Sequence, residues 1–239
     1  QFVLDKLDSL VKSHEVRLKT GKGTPPKGIV LHGEAGTGKT TTVEAWAAAH
    51  NYNLIMLKRG TDMIDMVSEI HAKFSDAKRL ATEDKLSIIL VDEIDAIGTI
   101  RKPGATDKET VALMGEIDAL KADSGVVVVA TTNLLDAVDK AVVRSGRLEQ
   151  SCKVSRPTDS DVSLIAKVCL EGFRLENSMT LDEFVSDFSG DLREKTGADI
   201  RRIIETAISN NMEKNKLEFF RDVNLKVRDV KEAIESRNC

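Results

Sequence analysis

The chain has 239 residues, which is enough for one large domain or for a medium domain followed by a small one. Hydrophobic residues make up 41% and charged residues 31% of the sequence, a balance that is typical of globular proteins and excludes a disordered chain. The net charge is only −4 and aromatic residues are 4% of the chain, so no basic or base-stacking surface is indicated, and we expect no nucleic-acid partner.

Short apolar runs alternate with longer helical patterns through the first two thirds of the chain. An amphipathic run between Phe2 and Val11 predicts a first helix, which Gly- and Pro-rich sequence ends before Pro26. Buried strands that alternate with helices form a parallel sheet covered on both faces, so we predict an α/β fold. The predicted strands are Ile29–Leu31, Leu54–Leu57, Ile88–Val91, Val126–Ala130 and Cys152–Val154.

The pattern changes after Pro157, where no further strand-like run is found and helical spacing dominates. Thr158 or Asp159 is expected to cap the first of these helices. We therefore place a domain boundary here, with a large α/β domain over residues 1–156 and a small helical domain over residues 157–239. The predicted helices of the small domain cover residues 159–173, 181–188, 197–215 and 227–236.

The stretch GEAGTGKTTT, residues 33–42, lies between the first predicted strand and a helix. It matches the phosphate-binding pattern Gly-x-x-x-x-Gly-Lys-Thr, in which glycines let several backbone N–H groups point at phosphate oxygens. Lys39 is predicted to reach the β- and γ-phosphates, and the Thr40 hydroxyl to bind Mg²⁺. The predicted nucleotide-binding residues of this loop are Gly33, Glu34, Ala35, Gly36, Thr37, Gly38, Lys39, Thr40 and Thr41.

Two acidic residues, Asp92 and Glu93, follow the strand predicted at Ile88–Val91. They stand at its carboxyl end, where open α/β sheets bind ligands. Asp92 is predicted to orient the Mg²⁺ shell and Glu93 to polarise an attacking water. An isolated acidic pair is usually a solvated strand end, but a phosphate loop precedes this one. A pure binding module would not need Glu93, so hydrolysis is favoured over storage.

Taken together, these segments resemble an AAA+ ATPase, and more narrowly a member of the AAA subfamily. The resemblance runs from about Pro25 to the end of the chain. It implies ATP and Mg²⁺ as cofactors, a P-loop NTPase sheet in the nucleotide-binding domain 1–156, and a helical lid over 157–239. The similar segments are PPKGIVLHGEAGTGKT, the Walker B segment LVDEIDAIG, the sensor 1 segment VVVVATTN, the second region of homology DKAVVRSGRLEQ, and the sensor 2 helix TGADIRRIIETA.

The resemblance also implies roles for residues outside the Walker motifs. Asn133 would position the lytic water, and Gly197 and Ala198 would lie near the nucleotide. Arg144 and Arg147 would act on the nucleotide of a neighbouring subunit, which implies a ring, usually a hexamer, of identical or different subunits. Without the family context, the two arginines would be interpreted as surface residues.

The family's pore loop usually presents an aromatic side chain, and here the chain departs from the pattern. The matching stretch is GTDMIDMVSEIHAKF, in which Met66 and Val67 stand near the aromatic position. Methionine is flexible and apolar, so these two residues are candidates for contacts with a polypeptide substrate. The alternative is that Met63, Ile64, Met66 and Val67 form a buried helix face.

Three functions stay open on the sequence. The favoured one is the ATPase module of a ring that remodels, unfolds or disassembles a protein substrate or an adaptor-bound partner. A second is a nucleic-acid motor or loader, another use of the same fold. A third is a scaffold in which ATP binding, and not turnover, determines the geometry of an assembly.

The cysteines indicate the compartment. Cys152, Cys169 and Cys239 are odd in number and far apart, which predicts free thiols in a reducing compartment such as the cytoplasm or the nucleus. No apolar run approaches the roughly 20 residues of a membrane-spanning helix, so we expect no transmembrane segment here. Because the chain starts at Gln1, we expect it to be part of a longer protein.

Overall fold

The chain divides into two units in the computed structural model, which describes residues 2–59, 65–97 and 108–238. The first unit combines Gln1–Glu34 with Lys39–Val154. The second combines Ala35–Gly38, from the middle of the predicted phosphate loop, with Ser155–Cys239. No helix within the described ranges is both long enough and apolar enough to cross a membrane.

A five-stranded sheet lies at the centre of the first unit. Every neighbouring pair of strands is parallel, and the strand order is β2-β3-β4-β1-β5. The predicted α/β fold with a parallel sheet is thus confirmed, and each predicted strand overlaps an observed one. The strands are β1 (Gly28–His32), β2 (Asn53–Lys58), β3 (Ser87–Asp92), β4 (Val126–Thr132) and β5 (Gln150–Lys153).

Helices cover both faces of this sheet. Side chains alternate between the faces along a strand, so each central strand contributes to two cores. In β4, Val128 packs in the same cluster as Phe74 and Ile117. The neighbouring Val129 packs in the opposite cluster with Trp46. The helices are α1 (Phe2–Thr20) and α2 (Lys39–Ala49) on the Trp46 face, and α3 (Met66–Leu80) and α4 (Lys108–Ala119) on the Phe74 face.

The second unit has its own apolar core, to which the fully buried side chains of Phe184 and Phe188 contribute. Its four predicted helices are confirmed. Thr158, one of the two predicted caps, accepts the Asp161 N–H at the start of α5, and the Asp161 side chain accepts the Thr158 N–H in return. The helices are α5 (Asp159–Leu170), α6 (Leu181–Ser186), α7 (Gly197–Asn215) and α8 (Val227–Asn238).

The expectation that no strand follows Pro157 was wrong. Two short parallel strands, β6 (Arg174–Leu175) and β7 (Asn224–Leu225), pair within the second unit. A two-residue strand is too short to show an alternating pattern, which is why the sequence did not reveal it. The division into functional domains at residues 156 and 157 stays a prediction.

Candidate functional site

The carboxyl edge of the sheet in the first unit collects the predicted site residues, and Lys39 is central among them. Its Nζ donates to the backbone oxygens of Gly33 and Glu34, each at 2.9 Å, and to Oδ1 of Asn133 at 2.7 Å. Lys39 is only 7% exposed. Burial lowers its pKa, although the nearby Asp92 carboxylate acts in the opposite direction. The ammonium is therefore held at the loop, beside the predicted water-positioning residue.

Asp92 ends β3 and links three elements through hydrogen bonds. Its Oδ1 accepts from the hydroxyls of Thr40 at 2.6 Å and Thr131 at 2.7 Å, and its Oδ2 accepts from Lys58 Nζ at 3.0 Å. Burial acts to raise the pKa of Asp92, but these three hydrogen bonds outweigh it and hold the pKa below its usual value. The charged carboxylate is thus the favoured form.

Thr40 and Asp92 fit the predicted magnesium site by the chemistry of their donors. Mg²⁺ prefers oxygen ligands and is usually bound by one or two protein side chains together with substrate phosphates and waters. A hydroxyl and a carboxylate oxygen in mutual contact meet this preference. Among the described residues, no group of three or more His, Cys, Asp and Glu side chains could hold a metal ion by itself.

Glu93 adopts a left-handed conformation immediately after β3, with φ 54° and ψ 54°. Its N–H donates to Thr131 Oγ1 at 3.1 Å, and its side chain is 51% exposed. Left-handed backbone at a non-glycine residue costs of order 1–3 kcal/mol and is concentrated at functional sites. The conformation turns the chain at the end of the strand and leaves the carboxylate accessible beside the buried Asp92.

The middle of the phosphate loop, in the second unit, contacts the start of α7. Gly36 has φ 79°, and a Cβ at this position would lie 2.7 Å from Thr196 Oγ1. Its carbonyl oxygen accepts the Ala198 N–H at 3.1 Å, and Gly197 is the first residue of α7. A side chain at Gly36 is therefore disfavoured both by the backbone conformation and by the space available.

The other loop residues are also located. In the first unit, a Cβ at Gly33 would lie 2.2 Å from the Val154 carbonyl oxygen, so the loop enters against the end of the sheet. Thr41 is exposed in the first turn of α2, and Glu34 is exposed as well. In the second unit, Gly38 has φ 86°, a left-handed conformation that glycine adopts at little cost. Ala35 is exposed and Thr37 is half-buried.

Comparison with known proteins settles the family. The profile of the family described as "ATPase family associated with various cellular activities (AAA)" matches residues 29–156, which is more than half of the chain. This chain belongs to the AAA family. The resemblance noted in the sequence is confirmed, and the P-loop, Walker B and sensor 1 segments of this AAA chain all lie inside the matched range.

The chain is also similar to several curated proteins over most of its length. An ATP-dependent zinc metalloprotease FtsH 1 of Rhodopirellula baltica is 32% identical over 85% of this chain, which covers 30% of that relative. The 26S protease regulatory subunit 6A of Caenorhabditis elegans is 32% identical over 70% of this chain and 41% of the relative. Protein SAV of Sulfolobus acidocaldarius is 31% identical over 79% of this chain and 24% of the relative. The chain thus spans less than half of each of these proteins.

The two arginines of the second region of homology lie in different environments. Arg147 is 7% exposed, and its Nε and Nη2 donate to the two carboxylate oxygens of Asp118 at 2.7 and 2.6 Å. Its Nη1 donates to the Ala141 carbonyl oxygen at 2.7 Å. Hydrogen bonding to Asp118 also raises the pKa of Arg147. Because the Arg147 guanidinium is bound within its own chain, we favour Arg144 as the arginine that reaches a neighbour, and the role of Arg147 there stays a prediction.

Arg144, by contrast, is exposed. It lies on a turn in which Gly146 has φ 83° and the Arg147 N–H donates to the Arg144 carbonyl oxygen at 3.1 Å. The Ser145 hydroxyl and the Gly146 N–H both donate to Glu149 Oε2, at 3.0 and 3.2 Å. The buried Arg147 therefore anchors the turn, and Arg144 is the arginine that the turn presents to the outside.

The structure favours the buried helix face over the pore-loop interpretation for Met66. Met66 begins α3, is 6% exposed, and packs in the same core cluster as Ile70 and Phe74. A side chain that fills the core cannot grip a polypeptide, so Met66 is withdrawn as a substrate contact. Val67 is half-buried and its role stays a prediction. The predicted partners in that face, at positions 63 and 64, lie outside the described residues.

Lys58 is a site residue that sequence reasoning missed. It is the last residue of β2, and the parallel register pairs it with Asp92 at the end of β3. The only signal would have been a basic residue at the end of one predicted strand and an acidic residue at the end of another. That signal becomes useful only when the two strands are known to be neighbours.

Proposed function

We propose that this chain is the ATP-hydrolysing module of an oligomeric ring that remodels, unfolds or disassembles protein partners. The observation that carries the proposal is a pair of hydrogen bonds from two adjacent residues. Lys39 and Thr40, at the end of the phosphate loop, donate to Asn133 and Asp92 at the ends of two adjacent strands. A loop that only stored phosphate would not require this connection to both a carboxylate and an amide.

The proposed roles follow from the chemistry of each group. Lys39 would bind the β- and γ-phosphates of ATP, and Thr40 and Asp92 would hold Mg²⁺. A bound Mg²⁺ would neutralise charge that develops on the phosphate oxygens. Glu93, with its exposed carboxylate, would accept a proton from the attacking water, and the amide of Asn133 would orient that water.

The second unit supplies the proposed lid. We propose that residues 157–239 act as a lid domain for the nucleotide-binding domain 1–156. The Gly36 carbonyl and the Ala198 N–H, which are hydrogen bonded, support a role for the start of α7 at the phosphate loop. Gly197 and Ala198 would then lie close to the nucleotide and transmit its state to the rest of the helical unit.

The proposed ring is a hexamer of identical or different subunits, in which Arg144 completes the site of the neighbour. The names of two relatives support a protein substrate or adaptor, since one is an ATP-dependent zinc metalloprotease and the other a 26S protease regulatory subunit. Cys152 and Cys169 are free thiols in the structure, and a reducing compartment such as the cytoplasm or the nucleus is part of the proposal.

Removal of the loop ammonium tests the nucleotide site. Lys39→Ala is expected to weaken binding of a fluorescent ATP analogue by roughly 10- to 100-fold, because a hydrogen bond to a charged group contributes about 1.5–3 kcal/mol. Equilibrium fluorescence titration with Mg²⁺ present measures the affinity. Lys12→Ala, at an exposed position on α1, is the matched control. Wild-type affinity in Lys39→Ala would contradict the loop assignment.

The proposed class of partner is tested by stimulation of turnover. An unfolded protein is expected to raise the ATPase rate of the assembled ring, whereas single- and double-stranded DNA are expected to leave it unchanged. The rate of phosphate release with each additive is the measurement. Strong stimulation by DNA together with none by proteins would replace the remodelling proposal with a nucleic-acid motor.

A further inference from the structure

The ammonium of Lys58 lies against the acidic pair that ends β3. Its Nζ is 3.0 Å from Asp92 Oδ2 and 3.4 Å from Glu93 Oε2. The Lys58 side chain is 48% exposed, whereas that of Asp92 is 7% exposed. The hydrogen bond to Asp92 raises the pKa of Lys58. A half-exposed cation thus contacts a largely buried anion.

The backbone determines this contact. Lys58 and Asp92 are partners in the parallel register of β2 and β3, so their side chains leave the sheet at the same level. The next residue, Arg59, donates to the Ala96 carbonyl oxygen at 2.7 Å and to Glu109 Oε1 at 2.8 Å. The bond to Ala96 ties the end of β2 to the segment that follows the acidic pair, and the bond to Glu109 ties it to α4.

The hydrogen bonds of Asp92 divide between its two oxygens. Oδ1 accepts from the hydroxyls of Thr40 and Thr131, and Oδ2 accepts from Lys58. The hydroxyl donors can stay when a cation binds, since they carry no charge. An ammonium that remained beside the carboxylate would be repelled by a divalent cation bound there, and this repulsion would raise the free energy of the metal-bound site.

We propose that Lys58 is the counter-ion of Asp92 in the metal-free site and that Mg²⁺ must displace it, so that Lys58 sets the Mg²⁺ concentration at which the site fills. The inference rests on the proposed function, because it places Mg²⁺ at Thr40 and Asp92. Lys58 is a positioning residue in this scheme. Its half-exposed side chain is screened by water, so the effect on Mg²⁺ binding is a few-fold and not orders of magnitude.

The test compares Lys58→Met with the wild type in a Mg²⁺ titration. The thermal midpoint Tm is followed at a fixed, saturating concentration of the slowly hydrolysed analogue ATPγS. Lys58→Met is expected to need about two- to five-fold less Mg²⁺ for half of the rise in Tm. In EDTA without nucleotide, its Tm is expected to fall by about 1–3 °C, because Asp92 loses its counter-ion.

Two controls test whether the effect on the Mg²⁺ requirement comes from the charge at position 58, and not from a change in side-chain volume or from the loss of any surface charge. Lys58→Arg keeps the charge and is expected to retain a Mg²⁺ requirement close to that of the wild type. Lys12→Met removes a charge from an exposed position on α1 and is expected to change neither the Mg²⁺ requirement nor the Tm in EDTA. If Lys58→Met does not fold, Lys58→Gln provides the same comparison with a neutral amide.

The outcomes distinguish this inference from the proposed function. A neutral residue at position 58 that leaves the Mg²⁺ requirement unchanged, or raises it, would overturn the role of Lys58 while nucleotide binding itself stood. Failure of the wild type to bind ATPγS at any Mg²⁺ concentration would instead overturn the nucleotide site, and the inference with it.

Discussion

A Glu93→Gln chain is expected to bind ATP with near wild-type affinity but to hydrolyse it at least about 100-fold more slowly. The reason is that a positioned general base accelerates a reaction by roughly 10²–10⁴-fold. The amide has the size of the carboxylate but cannot accept the proton of the attacking water. The backbone should be preserved, because the N–H of residue 93 donates to Thr131 Oγ1 irrespective of the side chain.

Two measurements on the same sample separate binding from chemistry. Fluorescence titration with the ATP analogue reports the affinity, and a single-turnover assay with radiolabelled ATP reports the chemical step. Glu44→Gln, which makes the same exchange at an exposed position of α2, is the matched control and should retain full turnover. If Glu93→Gln hydrolysed ATP within about two-fold of the wild type, another group would be the base.

The same variant addresses the scaffold alternative. If Glu93→Gln supports the function of the native complex, ATP binding alone is sufficient, and turnover is dispensable. If function is lost while the assembly stays intact by size-exclusion chromatography with light scattering, turnover itself is required. The variant can make this distinction because the Glu93 side chain is 51% exposed, so its replacement should not disturb the fold.

The central sheet was predictable because its buried strands leave a strong pattern. The run at Ile88–Val91 is continuously apolar since both faces of β3 are covered, and the same holds for Val126–Ala130. The two-residue strands β6 and β7 were not predictable, because they are shorter than any detectable period. Met66 was ambiguous for a related reason, since an apolar residue at a helix start suits both a core and an exposed loop.

The contacts within the site were only partly predictable. Motif spacing places Lys39, Thr40 and Asp92 at one edge of a parallel sheet, and the hydrogen bonds agree with that placement. Lys58 was missed because its contact depends on β2 lying next to β3, and strand order is not contained in a local pattern. Arg147 was taken as equivalent to Arg144 because the motif does not reveal Asp118, which lies on α4, a distant part of the chain.

Arg144→Ala is expected to reduce turnover by about 10³- to 10⁵-fold if its guanidinium stabilises the transition state in a neighbouring subunit. The turn that carries it is anchored by the buried Arg147 and by the bonds to Glu149, so the backbone from which the exposed side chain extends is held in place. Nucleotide affinity should change far less than turnover, because the charge that the guanidinium compensates develops mainly in the transition state.

Arg147→Met is the comparison that the structure recommends. Removal of the Arg147 guanidinium should lower the free energy of unfolding, measured by urea denaturation, by about 1–2 kcal/mol. This is less than the loss expected for a fully buried ion pair, because Asp118 is half-exposed. Arg144→Ala should leave the unfolding free energy within about 0.5 kcal/mol of the wild type. If the two variants were equally stable and lost turnover to the same extent, Arg147 would be assigned a role in the neighbour's site together with Arg144.

Mixing of variants decides whether Arg144 acts between subunits. A ring of Arg144→Ala chains has the base but lacks the guanidinium, whereas a ring of Glu93→Gln chains has the guanidinium but lacks the base. In an equimolar mixed ring, about one interface in four combines an intact Glu93 with an intact Arg144 from the neighbour, as random cyclic assembly requires. With independent interfaces, the mixture should therefore recover about a quarter of the wild-type rate, although each parent is nearly inactive. If Arg144 acted within its own chain, no interface would be complete and mixing would restore nothing.

Dilution of the wild-type protein tests the ring itself. A site completed by a neighbour must lose activity when the neighbour dissociates, so turnover per chain that stayed constant on dilution to the monomer would oppose the ring directly.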